Sequence, residues 1–230
     1  MTRFFQYVLR TTDVPAAAAF YAAVLGRSDA EIFQLHEEAV ARGSRPHWLG
    51  FLEVDDVDAE AAAFAARGAI PLGPKWLNPQ GLEAAVMRDP GGALVALGKP
   101  AKAHGSAPRP EVVWHALNTV EVERAKANYA EGFGWDFKAA IDVGDHGVLH
   151  PFAYQPGAAA VGSLSDIAGR PGVHAHWLFH FRVPSLDHAL DAVRAGGGLV
   201  IGPFTLPNGN RIAVCDDAQG AAFALLEGRG

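Results

Sequence analysis

Several features that would point to particular classes of protein are scarce in this sequence. Cys215 is the only cysteine, so no internal disulfide is possible and the cytoplasm is the expected location. Lysine and arginine number 19 against 25 aspartates and glutamates, without a basic cluster, so neither nucleic acid nor an anionic membrane is an expected partner. No apolar run reaches the roughly 18 residues of a membrane span, and the first residues lack the apolar region of a signal peptide.

Motifs for phosphate binding and nucleophilic catalysis are also missing. The glycines at 196–198 follow a predicted helix and do not lie between a strand and a helix start, so they do not form a phosphate loop. No serine occupies a GxSxG setting. Cys215 has no base near it in sequence and is expected to be a buried, unreactive thiol. These observations argue against a phosphate loop and against a serine or cysteine nucleophile.

The chain contains an internal repeat. Residues 11–26 align with 119–134 without a gap, and Tyr21 then matches Tyr129. The segment that begins at His47 aligns with the one that begins at His176, and 87–97 aligns with 214–225 after a one-residue adjustment. The repeat predicts a first domain at 1–98, a linker at 99–110 that is rich in proline and alanine, and a second domain at 111–230.

Each half contains two places where a strand is followed by a helix. The strand FQYVLRT precedes Asp13, a predicted N-cap, and an alanine-rich helix that ends at Gly26. The strand LGFLEVD precedes a helix across 57–68, and turn signals then separate short strands. The repeating unit is one strand, one helix and a run of antiparallel strands.

The first of these units is shorter than the others. The 42 residues from Gly134 to His176 have room for three strands, whereas the 21 residues from Gly26 to His47 do not. Residues 31–43 carry apolar positions at helical spacing and end in Gly43, so a helix, or one strand plus a helix, is predicted there.

These segments resemble the modules of the vicinal oxygen chelate superfamily, which includes glyoxalase I, bleomycin-resistance proteins and extradiol dioxygenases. The likeness rests on the strand ending in LRTTD with its FY-containing helix, and on EVDDVDAEAAAFAARGA followed by RDPGGALVAL. It covers nearly all of residues 3–100 and 111–228. The resemblance implies an α+β fold of tandem paired βαβββ modules, with the first module shortened, in which curled sheets enclose a cleft.

The resemblance also implies where a metal would be held, and those positions lack donors here. In the superfamily's metal enzymes, ligands come from the first strand of each module, at places that hold Gln6, Leu49, Trp114 and Leu178 in this sequence. A glutamate in the last strand of each pair corresponds to Ala96 and Ala224. A catalytic divalent cation needs about three protein donors. Only the Gln6 amide could coordinate, so the resemblance predicts no standard metal site. We therefore expect a small-molecule ligand as the partner and neither a metal nor another cofactor.

The triplet His-Trp-Leu occurs twice, at 47–49 and 176–178. Each histidine precedes a leucine by two residues and should share its strand face, whereas each tryptophan should pack under a helix. His176 and His180 form the best candidate pair for ligand contact or acid–base chemistry, although surface or core roles remain open for most of these side chains. The predicted ligand-binding residues are Trp114, His150, Phe152, Tyr154, His176, His180, Gln6 and His47.

Three functional hypotheses follow from the resemblance. The first is a metal-free protein that binds a small, partly apolar molecule in a cleft. The second is a metal-dependent lyase, isomerase or dioxygenase that uses relocated histidine ligands, so whether the protein is an enzyme stays open. The third is an interaction protein with closed clefts. Because two module pairs in one chain can imitate the superfamily's dimer, either a monomer or a homodimer is expected.

Overall fold

A computed structural model of the chain describes residues 1–27, 29–78, 81–100, 111–144, 147–206 and 209–228. The helices are α1 (Val14–Leu25), α2 (Glu37–Ala41), α3 (Val57–Ala66), α4 (Val122–Phe133) and α5 (Leu186–Ala195). The strands are β1 (Phe4–Thr11), β2 (Glu31–Gln34), β3 (His47–Glu53), β4 (Ile70–Pro71), β5 (Trp76–Leu77), β6 (Glu83–Arg88), β7 (Leu94–Lys99), β8 (Val112–Asn118), β9 (Asp136–Phe137), β10 (Ile141–Asp142), β11 (Val148–Ala153), β12 (Gly162–Ser165), β13 (His176–Val183), β14 (Leu199–Thr205), β15 (Arg211–Asp216) and β16 (Ala222–Glu227).

The described residues divide into two compact units that do not coincide with the two halves of the sequence. The first unit comprises residues 1–6, 49–100 and 115–177, and the second comprises 7–48, 111–114 and 178–228. Each unit therefore takes elements from both copies of the repeat. Apart from its first two residues, the linker predicted at 99–110 lies outside the described residues, and the domain boundaries remain a prediction about the repeat.

The first unit contains α3 and α4 with two sets of strands. Strand β3 pairs in parallel with β7, and β6 pairs antiparallel with β7, β4 and β5. Strand β8 pairs in parallel with β12, and β11 pairs antiparallel with β12, β9 and β10. Helices α3 and α4 pack against each other. Both sets begin with a strand and a helix and continue into antiparallel strands, which is the predicted βαβββ order.

The second unit contains one complete module and the shortened one. Strand β13 pairs in parallel with β16, and β15 pairs antiparallel with β16 and β14. In the shortened module, β1 pairs in parallel with β2, and the short helix α2 follows. One strand plus a helix thus fills the 31–43 segment, as one of the two sequence-based alternatives predicted. Helices α1 and α5 pack against each other.

The ends of α1 confirm the capping signals in the sequence. The Asp13 side chain accepts a hydrogen bond from the Ala16 amide at 3.0 Å, which satisfies one of the N–H groups that an α-helix leaves unpaired at its start. Gly26 ends the helix with φ of 65°, a left-handed conformation that glycine adopts without a steric penalty. No helix among the described residues is long and apolar enough to cross a membrane.

The start of α1 is also held by a glutamine from a distant turn. Gln219 Oε1 accepts hydrogen bonds from the Thr11 hydroxyl, from the Thr12 hydroxyl at 3.0 Å and from the Asp13 amide at 2.9 Å. Gln219 Nε2 donates to the Asp13 carbonyl at 3.1 Å. One side chain therefore joins the β15–β16 turn to the junction between β1 and α1.

Replacing Gln219 with alanine is expected to lower the free energy of unfolding by about 1–2 kcal/mol, because several hydrogen bonds at the helix start are lost together. Urea denaturation of the purified variant measures this change. Gln155→Ala, at an exposed glutamine, serves as the matched control and should stay within about 0.5 kcal/mol of the wild type. Equal unfolding midpoints for the two variants would show that Gln219 does not secure α1.

Candidate functional site

The tryptophan of the first His-Trp-Leu triplet is part of a buried hydrogen-bond relay in the second unit. Trp48 Nε1 donates to the Tyr21 hydroxyl at 2.9 Å, and that hydroxyl donates to Asp217 Oδ2 at 3.2 Å. The rings of Trp48 and Tyr21 meet edge to face, with centroids 5.1 Å apart. The tryptophan therefore packs against α1, as predicted.

The second triplet forms the same relay in the first unit. Trp177 Nε1 donates to the Tyr129 hydroxyl at 3.2 Å, and the hydroxyl donates to Asp89 Oδ2 at 3.0 Å. Burial and the nearby Asp89 charge raise the pKa of Tyr129 well above its ordinary value, so the hydroxyl keeps its proton and acts as the donor. The matched pair Tyr21 and Tyr129 thus has one structural role in both copies of the repeat.

Each relay ends on an aspartate that also holds a turn. Asp89 Oδ1 accepts from the Ala93 amide at 2.9 Å, and Asp217 Oδ1 accepts from the Ala221 amide at 2.9 Å. Burial raises the pKa of Asp89, while the hydrogen bonds from Ala93 and from Tyr129 oppose the shift. The repeated tryptophan, tyrosine and aspartate therefore have a structural role, and we do not assign them a role in catalysis or ligand binding.

Each of the two triplet histidines forms a hydrogen bond with the carbonyl group two residues before it. Nδ1 of His47 lies 2.7 Å from the Arg45 carbonyl oxygen, and Nδ1 of His176 lies 2.7 Å from the His174 carbonyl oxygen. Because a carbonyl only accepts, Nδ1 carries the proton in each ring and Nε2 is left as the acceptor. Burial lowers the pKa of His176 and so favours the neutral imidazole. The hydrogen bond to the His174 carbonyl opposes this shift.

The half-buried His176 ends a row of polar side chains in the first unit, whose other members are buried. The Ser165 hydroxyl donates to Asn118 Oδ1 at 3.0 Å, and Asn118 Nδ2 lies 3.4 Å from His176 Nε2, to which it donates. Ser163, two residues before Ser165 on β12, is also buried. We call Ser163, Ser165, Asn118 and His176 the polar row. All of its members are uncharged, so it is suited to binding a neutral group through hydrogen bonds.

Strand register puts the serines and Asn118 of the polar row on one face of the sheet and the side chains of the aromatic core on the other. Paired positions on neighbouring strands face the same side. Leu164 pairs with Leu117 on β8 and with His150 on β11, and Gly162 pairs with Phe152. These residues alternate along β12 and β8 with Ser163, Ser165 and Asn118. The serines and the asparagine therefore point away from the face that carries His150 and Phe152.

Phe152 and Tyr154 lie in an aromatic cluster on that apolar face. The Phe152 ring is fully buried and stacks on Trp135 with centroids 4.3 Å apart and an interplanar angle of 7°. Trp135 stacks in turn on Tyr129 of α4, at 4.8 Å. The structure thus places Phe152 in the core of the first unit, and His150, half-buried, on the same face. If the register of β11 were shifted by one residue, the Phe152 and His150 side chains would lie on the same face as the polar row.

His115 belongs to the same cluster and was not singled out in the sequence. Its ring stacks on Phe4 with centroids 5.0 Å apart, Nδ1 lies 2.8 Å from the Val161 carbonyl oxygen, and the Tyr154 hydroxyl lies 3.4 Å from Nε2. Burial lowers the pKa of His115 to about 4, although the hydrogen bond to Val161 opposes this. His115 is therefore a neutral core histidine at physiological pH.

The other predicted site residues fall in different parts of the fold. Gln6 is buried in the first unit, and the second unit holds the half-buried His47 and Trp114 and the buried His180. Asn118, Ser163 and Ser165 were not predicted from the sequence. The alternation in GSLS at 162–165, with a serine at every second position of a short strand, is the signal that could have revealed the polar face.

The residues present do not fit the divalent metal that the superfamily resemblance implies. Ala224 on β16 pairs with His180 on β13, and Ala96 on β7 pairs with Phe51 on β3. These two alanines occupy the positions where the resemblance would require a glutamate ligand, and a methyl group cannot coordinate a metal. Among the described residues, no three His, Cys, Asp or Glu side chains are grouped so that they could hold a metal ion. About three such donors are required for a catalytic divalent site.

Two curated proteins are similar to most of the chain. CFP32 of Mycobacterium bovis, which carries a provisional glyoxylase name, is 29% identical over 246 aligned residues that cover 95% of this chain and 92% of CFP32. DnrV of Streptomyces peucetius, named as an anthracycline biosynthesis protein, is 28% identical over 185 residues that cover 78% of this chain and 65% of DnrV.

Solved structures show the same fold at lower identity. The Mn(II)-bound glyoxalase of Novosphingobium aromaticivorans matches with a TM-score of 0.62 and 14% identity, over 99% of this chain and 83% of that one. The 2,3-dioxygenase LapB of Pseudomonas sp. KL28 matches with a TM-score of 0.63 and 15% identity, over 99% and 92%. A family model matches residues 111–225. The chain belongs to the Glyoxalase/Bleomycin resistance protein/Dioxygenase superfamily.

Proposed function

We propose that this protein binds a small, partly apolar and uncharged molecule at the polar row, without a divalent metal. The observation that carries the proposal is the hydrogen-bonded chain from Ser165 through Asn118 to the half-buried His176. Ser165 and Asn118 are buried and lie on the face of the sheet opposite the aromatic core. Buried polar side chains on a sheet face are expensive unless they are hydrogen-bonded. A ligand carbonyl or hydroxyl is the kind of group that such a row would orient.

The chemistry of the row favours binding over acid–base catalysis. His176 Nδ1 is engaged by the His174 carbonyl, and its Nε2 accepts from Asn118. Both ring nitrogens therefore already have partners in the neutral ring, and the lowered pKa of His176, caused by burial, opposes protonation. A side chain in this state can fix the orientation of Asn118, whose amide can then contact a ligand.

A thermal-shift screen of small aromatic ketones and phenols is the direct test. Anthracycline-type compounds belong in it, because the relative DnrV is named for anthracycline biosynthesis. At ten times its dissociation constant, a ligand should stabilise the wild type by about 1.4 kcal/mol. Asn118→Ala should remove the stabilisation by the same compound. His36→Ala should retain it, because His36 is exposed at the N-cap position of α2 and its side chain makes no capping hydrogen bond.

Two results would contradict the proposal. The first is a compound that stabilises Asn118→Ala as much as the wild type, since binding would then not involve the polar row. The second is near-stoichiometric zinc, nickel, manganese or iron that survives dialysis of the purified protein. That result would favour the alternative of a metal-dependent lyase, isomerase or dioxygenase with relocated histidine ligands.

A further inference from the structure

The contact between α3 and α4 in the first unit contains a guanidinium group lodged between aromatic rings. Arg67 ends α3, and its charge lies 5.8 Å from the Phe64 ring centroid and 5.9 Å from that of Phe133. The group also lies flat against α4, since a Cβ added at Gly132 would come within 2.2 Å of Arg67 Nη2. Gly132 therefore provides the space that the guanidinium occupies.

Two buried N–H donors in this contact find no acceptor among the residues that the structure describes. Arg67 Nε donates to Asn128 Oδ1 at 3.0 Å, and within the described residues this is the hydrogen bond that links Arg67 to α4. Arg67 Nη2 and Asn128 Nδ2 are both shielded from solvent and lack a hydrogen-bond partner among the described residues. Asn128 as a whole is 4% exposed. Buried donors and buried charges are normally paired, so this arrangement is incomplete.

The other copy of the repeat shows that the fold does not need a charge at this place. Tyr21 matches Tyr129 and Gly197 matches Gly68, so Phe20 stands where Asn128 does and Gly196 where Arg67 does. In the second unit, a Cβ at Gly196 would lie 2.6 Å from the Phe20 ring, so this helix pair packs through hydrocarbon. The Arg67–Asn128 pair is therefore not required for the helix contact. The free-energy cost of burying its charge and unpaired donors must be offset by another interaction.

We propose that Arg67 and Asn128 form a binding site for a small inorganic anion, with chloride as the simplest occupant. An acceptor that contacts Arg67 Nη2 and Asn128 Nδ2 together would satisfy both donors. A negative charge would in addition neutralise a guanidinium that has no ion-pair partner among the described carboxylates. Water could accept from both groups but would leave the charge uncompensated. The anion would strengthen the contact between α3 and α4, and this site is separate from the polar row.

The test compares thermal unfolding in sodium gluconate and in sodium chloride at constant ionic strength. The wild-type Tm is expected to rise by a few degrees as chloride replaces gluconate, and to level off when the site is full. Asn128→Asp places a carboxylate beside Arg67 and should have the higher Tm in both salts, without a chloride effect. Arg67→Met should also show no chloride effect. Arg42→Met, which removes an exposed arginine of the second unit, should keep the wild-type response.

A wild-type Tm that is the same in both salts would overturn the proposal, because water would then be the acceptor. The same chloride response in Asn128→Asp would also overturn it, since the effect would be a general one of salt. If Arg67→Met does not fold, Asn128→Asp and the wild type decide the matter. Bromide soaked into crystals supplies a direct readout: an anomalous peak in contact with Arg67 and Asn128 is expected, and an empty position at saturating bromide would exclude the site.

Discussion

Replacing Tyr129 with phenylalanine is expected to lower the free energy of unfolding by about 3 kcal/mol. The hydroxyl accepts from Trp177 Nε1 and donates to Asp89 Oδ2, and all three side chains are buried. Without it, an indole N–H and a carboxylate oxygen each lose a partner in a place that water does not reach. Phenylalanine keeps the stacking on Trp135, so the change isolates the polar relay.

The pH dependence of this loss is a second readout. Burial already raises the pKa of Asp89, and the Tyr129 hydrogen bond opposes that shift. Removal of the hydroxyl should raise the pKa of Asp89 further. A carboxyl group with a raised pKa destabilises the folded state when it is ionised and not when it is protonated. The difference in unfolding free energy between wild type and variant should therefore shrink as the pH falls toward the Asp89 pKa of the variant.

Urea denaturation of Tyr129→Phe and Tyr21→Phe, with Val120→Ala as a control, measures the effect. Tyr21 occupies the equivalent relay in the second unit, and its phenylalanine variant should lose a similar amount. Val120 is exposed, so its alanine variant should stay within about 0.5 kcal/mol of the wild type. Equal small losses in all three variants would mean that the relays do not stabilise the fold.

Acidification from pH 7 to pH 5 is expected to cost the wild type about 2 kcal/mol more stability than it costs His115→Phe, and about 3 kcal/mol more by pH 4. The His115 pKa is lowered by burial to about 4 in the folded protein, whereas an unfolded histidine titrates near 6.5. Between these values the unfolded chain binds a proton that the folded chain rejects. The His115 contribution is therefore present above the unfolded pKa and is lost as the pH falls toward 4.

Chemical denaturation at several pH values between 7 and 4 checks this dependence. Phenylalanine at position 115 preserves a ring against Phe4, while the hydrogen bond to the Val161 carbonyl is lost, so the variant should be less stable at pH 7 and less sensitive to acid. Val120→Ala, at an exposed position without a titratable group, should show the wild-type pH dependence. If His115→Phe has the same slope as the wild type, His115 is not the group whose protonation opposes folding.

Local signals were sufficient for the helices and for the module order. Asp13 and Gly26 limit α1 because capping depends on residues next to each other in the chain, and those residues can be read directly. The short distance from Gly26 to His47 predicted the reduced first module because chain length limits how many strands fit. The packing of Trp48 and Trp177 toward helices followed from the alternation of side chains along a strand.

Local sequence signals did not predict which face of β11 packs in the core or which residues form the polar row. His150, Phe152 and Tyr154 alternate with Leu149, Pro151 and Ala153, and both sets contain apolar residues, so hydrophobicity does not show which set faces the core. Only pairing with Leu164 and Gly162 on β12 decides the matter, since a shift of one residue exchanges the two faces. The alternation in GSLS could have revealed a polar face of β12, but only the pairing of β12 with β8 places Asn118 beside Ser165.

By itself, the sequence determined the duplicated βαβββ plan, the capped helices and the absence of donors at Ala96 and Ala224, because each of these depends on neighbouring residues or on a repeat that can be aligned. Only the tertiary structure decided that Tyr21 meets Asp217, 196 residues away, and that Tyr129 meets Asp89. It also decided that Arg67 enters a helix contact without a carboxylate partner among the described residues. Such contacts join segments that are distant in the chain, and their partners are chosen by packing geometry, which no local pattern of residues specifies.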